Sequence, residues 1–337
     1  MKRIGFLSFG HYQAVPGSVV RTAQDALLQT IDLAVAAEEL GIDGAYVRVH
    51  HFARQLASPF PLLAAMGART SRIELGTAVI DMRYENPLYM AEDAAAADLI
   101  SGGRLQLGIS RGSPETVING YESFGYVPAE DSTDADDART KAAIFRAAIG
   151  GAGIAPANPQ MTGTTSLQPI QPQAPGLADR IWWGSGTRAT AQWTGEQGMN
   201  LMSSTLLTED TGVPFDQLQA EQIELYRDAW KTAGHEREPR VSVSRSIIPI
   251  TNDLDRRYFG GERNSEDQVG HLDGGLARFG KSYVGEPDVI AAELAQDVAV
   301  QAADTVLVTV PNQLGVPYLT SQLEAILKHV APGAGWR

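Results

Sequence analysis

Two adjacent histidines, His50 and His51, are the side chains of this chain best suited to acid–base chemistry. They follow a short apolar run, Ala45-Tyr46-Val47, at a point where a predicted strand gives way to a loop. An imidazole titrates near ~6.5, so it can donate a proton at neutral pH and later take one back. By strand alternation, His50 and His51 point to opposite faces. A packed, hydrogen-bonded structural role is the alternative for either ring.

Arg48 shares the predicted inward face with His50 and is a third candidate for chemistry. A buried guanidinium needs a carboxylate partner, and Asp81 or Glu85 are the candidates. The alternative is that Arg48 faces the outer helices and reaches solvent. The histidine pair is a poor metal site because neighbouring strand residues point apart and no other ligand residue lies close in sequence. No cysteine is present, which also excludes disulfides and thiolate chemistry.

A second group of residues is suited to binding a phosphate. Gly184-Ser185-Gly186-Thr187 runs from a predicted strand into a helix start, where free backbone amides and the helix dipole favour an anion. Thr187 and Thr190 lie one turn apart and can add hydroxyl donors, unless Thr187 only caps the helix. Arg111, directly after Ser110, adds a guanidinium whose fork suits phosphate oxygens. A surface salt bridge is the alternative for Arg111.

Composition narrows the class of partner. The chain has 337 residues, 43% of them apolar, which is enough for a buried core. Its 40 acidic and 27 basic residues give a net charge of -13, which argues against a broad surface for nucleic acid or an anionic membrane. No segment reaches the ~20 apolar residues of a membrane helix, and the apolar run after Met1-Lys2-Arg3 is too short for a signal peptide. We expect a cytoplasmic protein that acts on a small molecule.

The elements that must position these residues are short apolar runs that alternate with helical patterns. This alternation predicts βα units and a parallel sheet. Eight units of this length predict a single (β/α)8 barrel, in which catalytic groups lie at the carboxyl ends of the strands. A doubly wound open sheet is the alternative, but no Gly-x-Gly-x-x-Gly follows any strand. The predicted strands span residues 4–9, 45–50, 73–79, 105–110, 180–183, 199–203, 241–250 and 305–310.

Helix signals and long connections complete the predicted barrel. Thr22 with Asp25 predicts a capping box, Asn86-Pro87 predicts a second helix start, and Pro317 opens the last helix. Insertions are expected after strands four and seven of the single domain 1–337. They are residues 112–136, 150–178 and 252–283. Long loops on a rigid scaffold often cover the active site, and we interpret 252–283 as a lid.

Several motifs resemble the bacterial luciferase-like, flavin-dependent monooxygenase family. The resemblance continues through residues 183–204 to Gly285-Glu286-Pro287-Asp288, so it covers most of the chain. Four motifs in the right order are specific where one would be weak. The three that come first are Tyr46-Val47-Arg48-Val49-His50-His51-Phe52, Ile73-Glu74-Leu75-Gly76-Thr77-Ala78 and Gly103-Arg104-Leu105-Gln106-Leu107-Gly108-Ile109-Ser110-Arg111-Gly112.

The resemblance implies a cofactor and residues that hold it. Members of this family are (β/α)8 barrels that bind reduced flavin mononucleotide (FMN), or in one branch a deazaflavin coenzyme, in the barrel mouth. Arg111 matches the family's phosphate arginine, and Thr187 and Thr190 match its hydroxyls. The segment 133–139 is similar to one that brings luciferase a second phosphate arginine, here Arg139. A small-residue peptide, often cis and lying under the flavin ring, would fall at Thr77-Ala78.

Departures from the family pattern concern the reaction rather than the cofactor. Val49 stands where the family has an acid before the two histidines, and Arg48 takes a position that is usually small. Ser110 matches the reactive cysteine of true luciferase. These three differences argue against light emission and an aldehyde substrate, but not against flavin binding.

The sequence therefore predicts an FMN-dependent monooxygenase that takes flavin from a separate reductase, because no nicotinamide fingerprint is visible. The alternatives are a deazaflavin-dependent hydride-transfer enzyme and a non-catalytic flavin-binding protein. A barrel hydrolase would need two carboxylates at strand ends, and only Asp81 lies near one. The dimers of the family imply a homodimer.

Overall fold

Eight parallel strands form the centre of the molecule. The computed structural model of the chain describes residues 1–112, 115–209, 212–261, 266–272 and 275–337. The predicted strands are all present, with ends that differ by a few residues. They are β1 (Arg3–Ser8), β2 (Gly44–Val47), β3 (Glu74–Asp81), β4 (Leu105–Ser110), β5 (Ile181–Ser185), β6 (Asn200–Ser203), β7 (Val241–Pro249) and β8 (Thr305–Val310).

The sheet closes on itself. Each strand pairs in parallel with the next in sequence, β8 pairs with β1, and β6 pairs with β7 through Leu201 opposite Val241 and Ser203 opposite Val243. A closed barrel leaves no exposed edge in this sheet, and its interior is filled by side chains. Leu7, Met202 and Leu307 belong to this inner cluster. The predicted (β/α)8 barrel is thus confirmed and the open-sheet alternative is wrong.

Helices pack around the barrel, one after each strand. The capping box of Thr22 and Asp25 and the Asn86 cap with Pro87 at the first helical position are both confirmed. The last barrel helix begins at Gly315, two residues before the predicted Pro317. The helices are α1 (Ala23–Leu40), α2 (Pro59–Arg69), α3 (Pro87–Ser101), α4 (Asp134–Ile149), α5 (Arg188–Glu196), α6 (Phe215–Thr232), α7 (Pro287–Gln296) and α8 (Gly315–Ala325). Among the helices in the described ranges, none is both long and apolar enough to cross a bilayer.

The second strand is shorter than predicted. β2 ends at Val47, whereas the prediction extended it to His50. The Arg48 amide still donates to the Ser8 carbonyl at 2.9 Å, but the His50 amide donates to the Leu56 carbonyl at 2.8 Å. The chain therefore leaves the sheet after Arg48, and the two histidines lie in the loop that follows.

The amino-terminal end of the barrel is closed by paired polar groups. The two terminal nitrogens of Arg240 donate to the two carboxylate oxygens of Glu74, each at 3.0 Å, and the guanidinium lies 4.9 Å from the Trp182 ring centre. The Trp182 indole donates to Gln106 at 2.9 Å, and the Tyr46 hydroxyl to Glu74 at 3.3 Å. We call Tyr46, Glu74, Gln106, Trp182 and Arg240 the basal network.

The long connections carry structure of their own. Residues 150–178 contain a hairpin of Gly153–Pro156 and Leu167–Pro169. Residues 252–283 contain a helix, Asp253–Phe259, and a strand pair, Gln268–Leu272 with Gly275–Phe279, that adds to Leu206–Leu207 after β6. Residues 113–114 of the first predicted insertion, and 262–265 and 273–274 of the predicted lid, lie outside the described residues. The lid stays a prediction.

Candidate active site

A cavity of about 340 Å³ lies at the carboxyl ends of the barrel strands. It is the place where a (β/α)8 barrel builds active sites. All but two of the site residues predicted from the sequence line it. The predicted residues in its wall are Arg48, His50, Ala78, Ser110, Arg111, Arg139, Gly184, Ser185, Gly186, Thr187 and Thr190.

One end of the cavity carries two arginines with donors still accessible. The Arg111 side chain is 57% exposed, and its terminal nitrogen lies 3.9 Å from an Asp134 carboxylate oxygen. The Arg139 guanidinium lies 4.6 Å from the centre of the Trp193 ring. An exposed pair at 3.9 Å contributes little to stability. Both guanidinium groups can therefore turn to an anion without breaking a strong contact.

The start of α5 lies at the same end. Thr187 is its N-cap: the Thr187 hydroxyl oxygen accepts from the Thr190 amide at 3.2 Å and its proton goes to the Thr190 hydroxyl at 2.9 Å. Capping is thus confirmed, and it leaves the Thr190 hydroxyl proton for another acceptor. The Arg188 amide donates to the Glu209 carboxylate at 3.0 Å. The helix start thus already holds an anionic group, as its dipole favours.

The floor of the cavity contains a cis peptide bond between Ala78 and Val79. The sequence prediction placed it at Thr77-Ala78, one residue too early. Thr77 is fully buried and its hydroxyl donates to the Gly108 carbonyl at 2.8 Å, so it holds β3 to β4 and does not line the cavity. The Ser110 hydroxyl accepts from the Gly112 amide at 2.8 Å.

Arg48 and His50 line another wall of the cavity and contact each other. The Arg48 Nε donates to His50 Nε2 at 2.8 Å, and a terminal nitrogen lies 3.4 Å from the Thr205 hydroxyl. The guanidinium carbon lies 5.2 Å from the Phe9 ring centre. The prediction that Arg48 shares the inward face with His50 is confirmed. Asp81, one of the carboxylate partners predicted for Arg48, instead accepts from Arg83. Arg83 is only two residues away in sequence, whereas Arg48 follows a different strand.

The protonation of His50 differs from the sequence expectation. Burial, and then the positive charge of Arg48, lower the pKa of His50 to about 4, with smaller contributions from His11 and His51. Burial also lowers the pKa of Arg48 to about 10. An imidazole with a pKa about 4 is neutral at pH 7, so the expected titration near ~6.5 is wrong. His50 can donate a hydrogen bond but does not carry a spare proton at neutral pH.

His51 is the predicted catalytic residue that the structure separates from the cavity. Its ring stacks on Tyr84 with 4.0 Å between centres and meets Phe124 edge-on at 5.3 Å. Burial lowers the pKa of His51. The two histidines thus point to opposite sides, as predicted, although both lie in the loop after β2 and not in a strand: His50 is in the cavity wall and His51 in an aromatic cluster.

Sequence reasoning missed several residues of the wall. Thr205 and Leu206 come from the loop after β6, and Ser242 and Ser244 from β7. Glu209 at the α5 start was also missed. Ser242 and Ser244 lie in the amino-terminal half of β7, so a search of the carboxyl ends of strands does not find them, and nothing in the sequence predicts where the loop residues fold back.

The family profile for luciferase-like monooxygenases matches residues 2–257. The match covers most of the chain, including β1 to β7 and every predicted site residue. The chain belongs to this family, and the resemblance noted in the sequence is confirmed.

Individual relatives fall on both sides of the family's cofactor division. The oxygenase component of flavin-dependent trigonelline monooxygenase from Acinetobacter baylyi is 31% identical over 110 residues, covering 32% of this chain and 30% of that protein. The F420-dependent glucose-6-phosphate dehydrogenase of Nocardia farcinica is 37% identical over 101 residues, covering 28% and 30%. The matched segments span between 28% and 35% of the first curated relatives.

Among solved structures, the oxygenating constituent of 3,6-diketocamphane monooxygenase from Pseudomonas putida, in complex with FMN, has a TM-score of 0.69 and 18% identity. The alignment covers 98% of this chain and 99% of that one. At this identity the likeness supports the barrel fold along the whole chain.

Proposed function

We propose that this member of the luciferase-like family is an FMN-dependent monooxygenase that acts on a small organic substrate. The observation that carries the proposal is the arrangement of one cavity. Two arginines and a helix start with accessible donors lie at one end, and a neutral imidazole paired with an arginine lines another wall. A phosphate-bearing planar cofactor needs both a site for its anion and hydrogen-bond donors beside its ring.

The residues present fit such a cofactor. Arg111 and Arg139 would hold the phosphate together with the hydroxyls of Thr187 and Thr190. Ala78 and Gly184 are small residues in the cavity wall that leave room for a ring above the barrel interior. Reduced FMN, when bound, supplies the two electrons with which oxygen is split between the substrate and water.

The protein's own contribution is to orient the cofactor and the substrate and to exclude water from the cavity. Leu7, Met202 and Leu307 form an apolar base to the cavity, which keeps solvent from below. His50 offers a hydrogen bond from a neutral ring. A neutral donor binds an electron-rich oxygen without protonating it, which suits a site where charge develops during the reaction.

A deazaflavin-dependent oxidoreductase is the second candidate, and the similarity to the F420-dependent dehydrogenase favours it. The overall charge of -13 argues for FMN, because the deazaflavin coenzyme carries a long anionic tail. The FMN in the camphane monooxygenase structure supports the same choice. A non-catalytic flavin-binding protein is the third candidate.

The proposal includes partners. A separate reductase would supply reduced flavin, as the words "oxygenase component" imply for the trigonelline enzyme. The family's dimers suggest a homodimer, for which light scattering should give twice the mass of one 36.1 kDa chain. A cytoplasmic location stays a prediction from the sequence.

Anaerobic titration with oxidised FMN, reduced FMN and the deazaflavin coenzyme tests the proposal. An oxygenase fed by a reductase should bind reduced FMN with a Kd on the order of 1–10 μM, more tightly than oxidised FMN. Binding of the deazaflavin alone would contradict the choice of FMN. Equal or tighter binding of oxidised FMN would favour the non-catalytic protein.

A further inference from the structure

The contact between Arg48 and His50 determines more than the position of the ring. A guanidinium carries only N–H donors and has no acceptor. Because Arg48 Nε lies 2.8 Å from His50 Nε2, the histidine nitrogen must be the acceptor. A nitrogen that accepts a hydrogen bond carries no proton, so the proton of the neutral ring must lie on Nδ1.

We infer that Arg48 is a positioning residue that fixes His50 as a neutral imidazole with its proton on Nδ1, so that neither side chain offers a ligand a hydrogen-bond acceptor. A free neutral imidazole carries its proton mostly on Nε2, so the arrangement reverses the ordinary preference. A ligand group that meets the pair must then be an acceptor, such as a carbonyl, carboxylate or phenolate oxygen.

Both partners are held in place by contacts that do not involve a ligand. The Arg48 amide bonds to Ser8 of β1, and the His50 amide bonds to Leu56. The guanidinium also lies over Phe9 and contacts the Thr205 hydroxyl. The backbone therefore brings the two side chains together from both sides before anything binds.

The charges around His50 act in the same direction. Among the described residues, the titratable groups that influence it are Arg48 and His51 on its own segment and His11 beyond β1. Each of them disfavours a second proton, and burial has the largest effect in lowering the pKa to about 4. Geometry sets which nitrogen carries the proton, and the surrounding charge keeps the ring neutral.

The test is nitrogen NMR on the full chain labelled in its histidines, without any cofactor. The His50 signals are identified as those lost in His50→Gln. In the wild type, proton–nitrogen correlations should show a ring protonated on Nδ1 that does not titrate between pH 5 and 8. Arg48→Met removes the donor and the charge at similar length. In that variant, the proton should move to Nε2 and the titration midpoint should rise above the wild-type value but stay below about 6.5, because the ring is still buried.

His11→Gln is the matched control, because it removes a neighbouring ring but not the donor. It should leave the proton on Nδ1. The inference is wrong if wild-type His50 carries its proton on Nε2, if it titrates near 6.5, or if Arg48→Met changes neither property. Once the His50 signals are identified, the wild-type spectrum decides even if Arg48→Met does not fold. None of these results depends on which cofactor binds, so they can fail while the proposed function stands.

Discussion

The two ends of the barrel use the same residue types in opposite ways. In the basal network, Arg240 and Glu74 are joined by two hydrogen bonds of 3.0 Å, and Gln106 and Trp182 complete the set. At the carboxyl end, Arg111 is 57% exposed with a partner at 3.9 Å. The basal arginine is committed to the protein, whereas the upper one is accessible and is proposed to bind the flavin phosphate. Barrel enzymes separate stability from function along their axis in this way.

The most severe change should be at the basal network. Glu74→Ala would leave the Arg240 guanidinium partly buried without its two-oxygen acceptor. We expect a loss of about 3 kcal/mol in the free energy of unfolding, because breaking a buried pair costs more than the pair contributes. Urea unfolding followed by circular dichroism measures it. At temperatures where the variant stays folded, it should keep its affinity for FMN. A large loss of FMN affinity without a loss of stability would reverse the comparison.

At the upper end, His50→Ala should lower turnover by about 100-fold, as expected for the loss of one donor at a reacting group. FMN affinity and stability should change little, because the phosphate donors lie at the other end of the cavity. His50→Gln keeps a donor and should lose less. Stopped-flow rates with reduced FMN, once a substrate is identified, measure the effect. If turnover is unchanged while FMN affinity falls, His50 has a binding role instead.

Glu209 offers a finer test of the phosphate end. Its carboxylate accepts from the Arg188 amide at the start of α5, where the phosphate is proposed to bind. Glu209→Gln removes that charge at constant size, so FMN should bind about threefold more tightly. Glu221→Gln is the matched control, because Glu221 also contacts Arg188, at 2.8 Å, but from α6. Equal effects of the two variants would remove the special role of Glu209.

A separate test concerns the pH dependence of stability. The pKa of His50 is about 4, below the ordinary ~6.5, so the folded state binds fewer protons than the unfolded state between these values. The contribution of His50 therefore lowers the free energy of unfolding as pH falls through that window. Burial raises the pKa of Glu85 to about 7. The contribution of Glu85 therefore lowers the free energy of unfolding as pH rises from about 4.5 to 7.

Two variants separate these opposing contributions. Relative to the wild type, His50→Gln should gain the most in free energy of unfolding at pH 4, and Glu85→Gln should gain the most above pH 7. Urea midpoints at several pH values measure the differences. A pH-independent difference for either variant would contradict the assigned shift.

The sequence predicted the barrel well because its signals are local. Thr22, Asn86 and Thr187 cap the helices that they were expected to cap, since a cap needs only its own next turn. The residues proposed to hold the phosphate do line one cavity, because strand ends meet at one face of a barrel. The contact between His50 and Arg48 was not predicted. Both residues follow the end of β2, and the loop that leads to Leu56 sets how the His50 ring is oriented. Glu209 and Thr205 were missed because their loop folds back from β6 without a sequence signal.

The most direct measurement of the central claim is FMN binding to Arg111→Ala, with Arg69→Ala as control. Arg69 is an exposed arginine at the last turn of α2, toward the opposite end of the barrel. Loss of a charge-assisted contact should raise the Kd for reduced FMN by about 10- to 100-fold for Arg111→Ala, with no change in unfolding midpoint. Arg69→Ala should bind as the wild type does. An unchanged Kd in Arg111→Ala, or equal losses in both variants, would contradict the assignment of the carboxyl end as the flavin phosphate site.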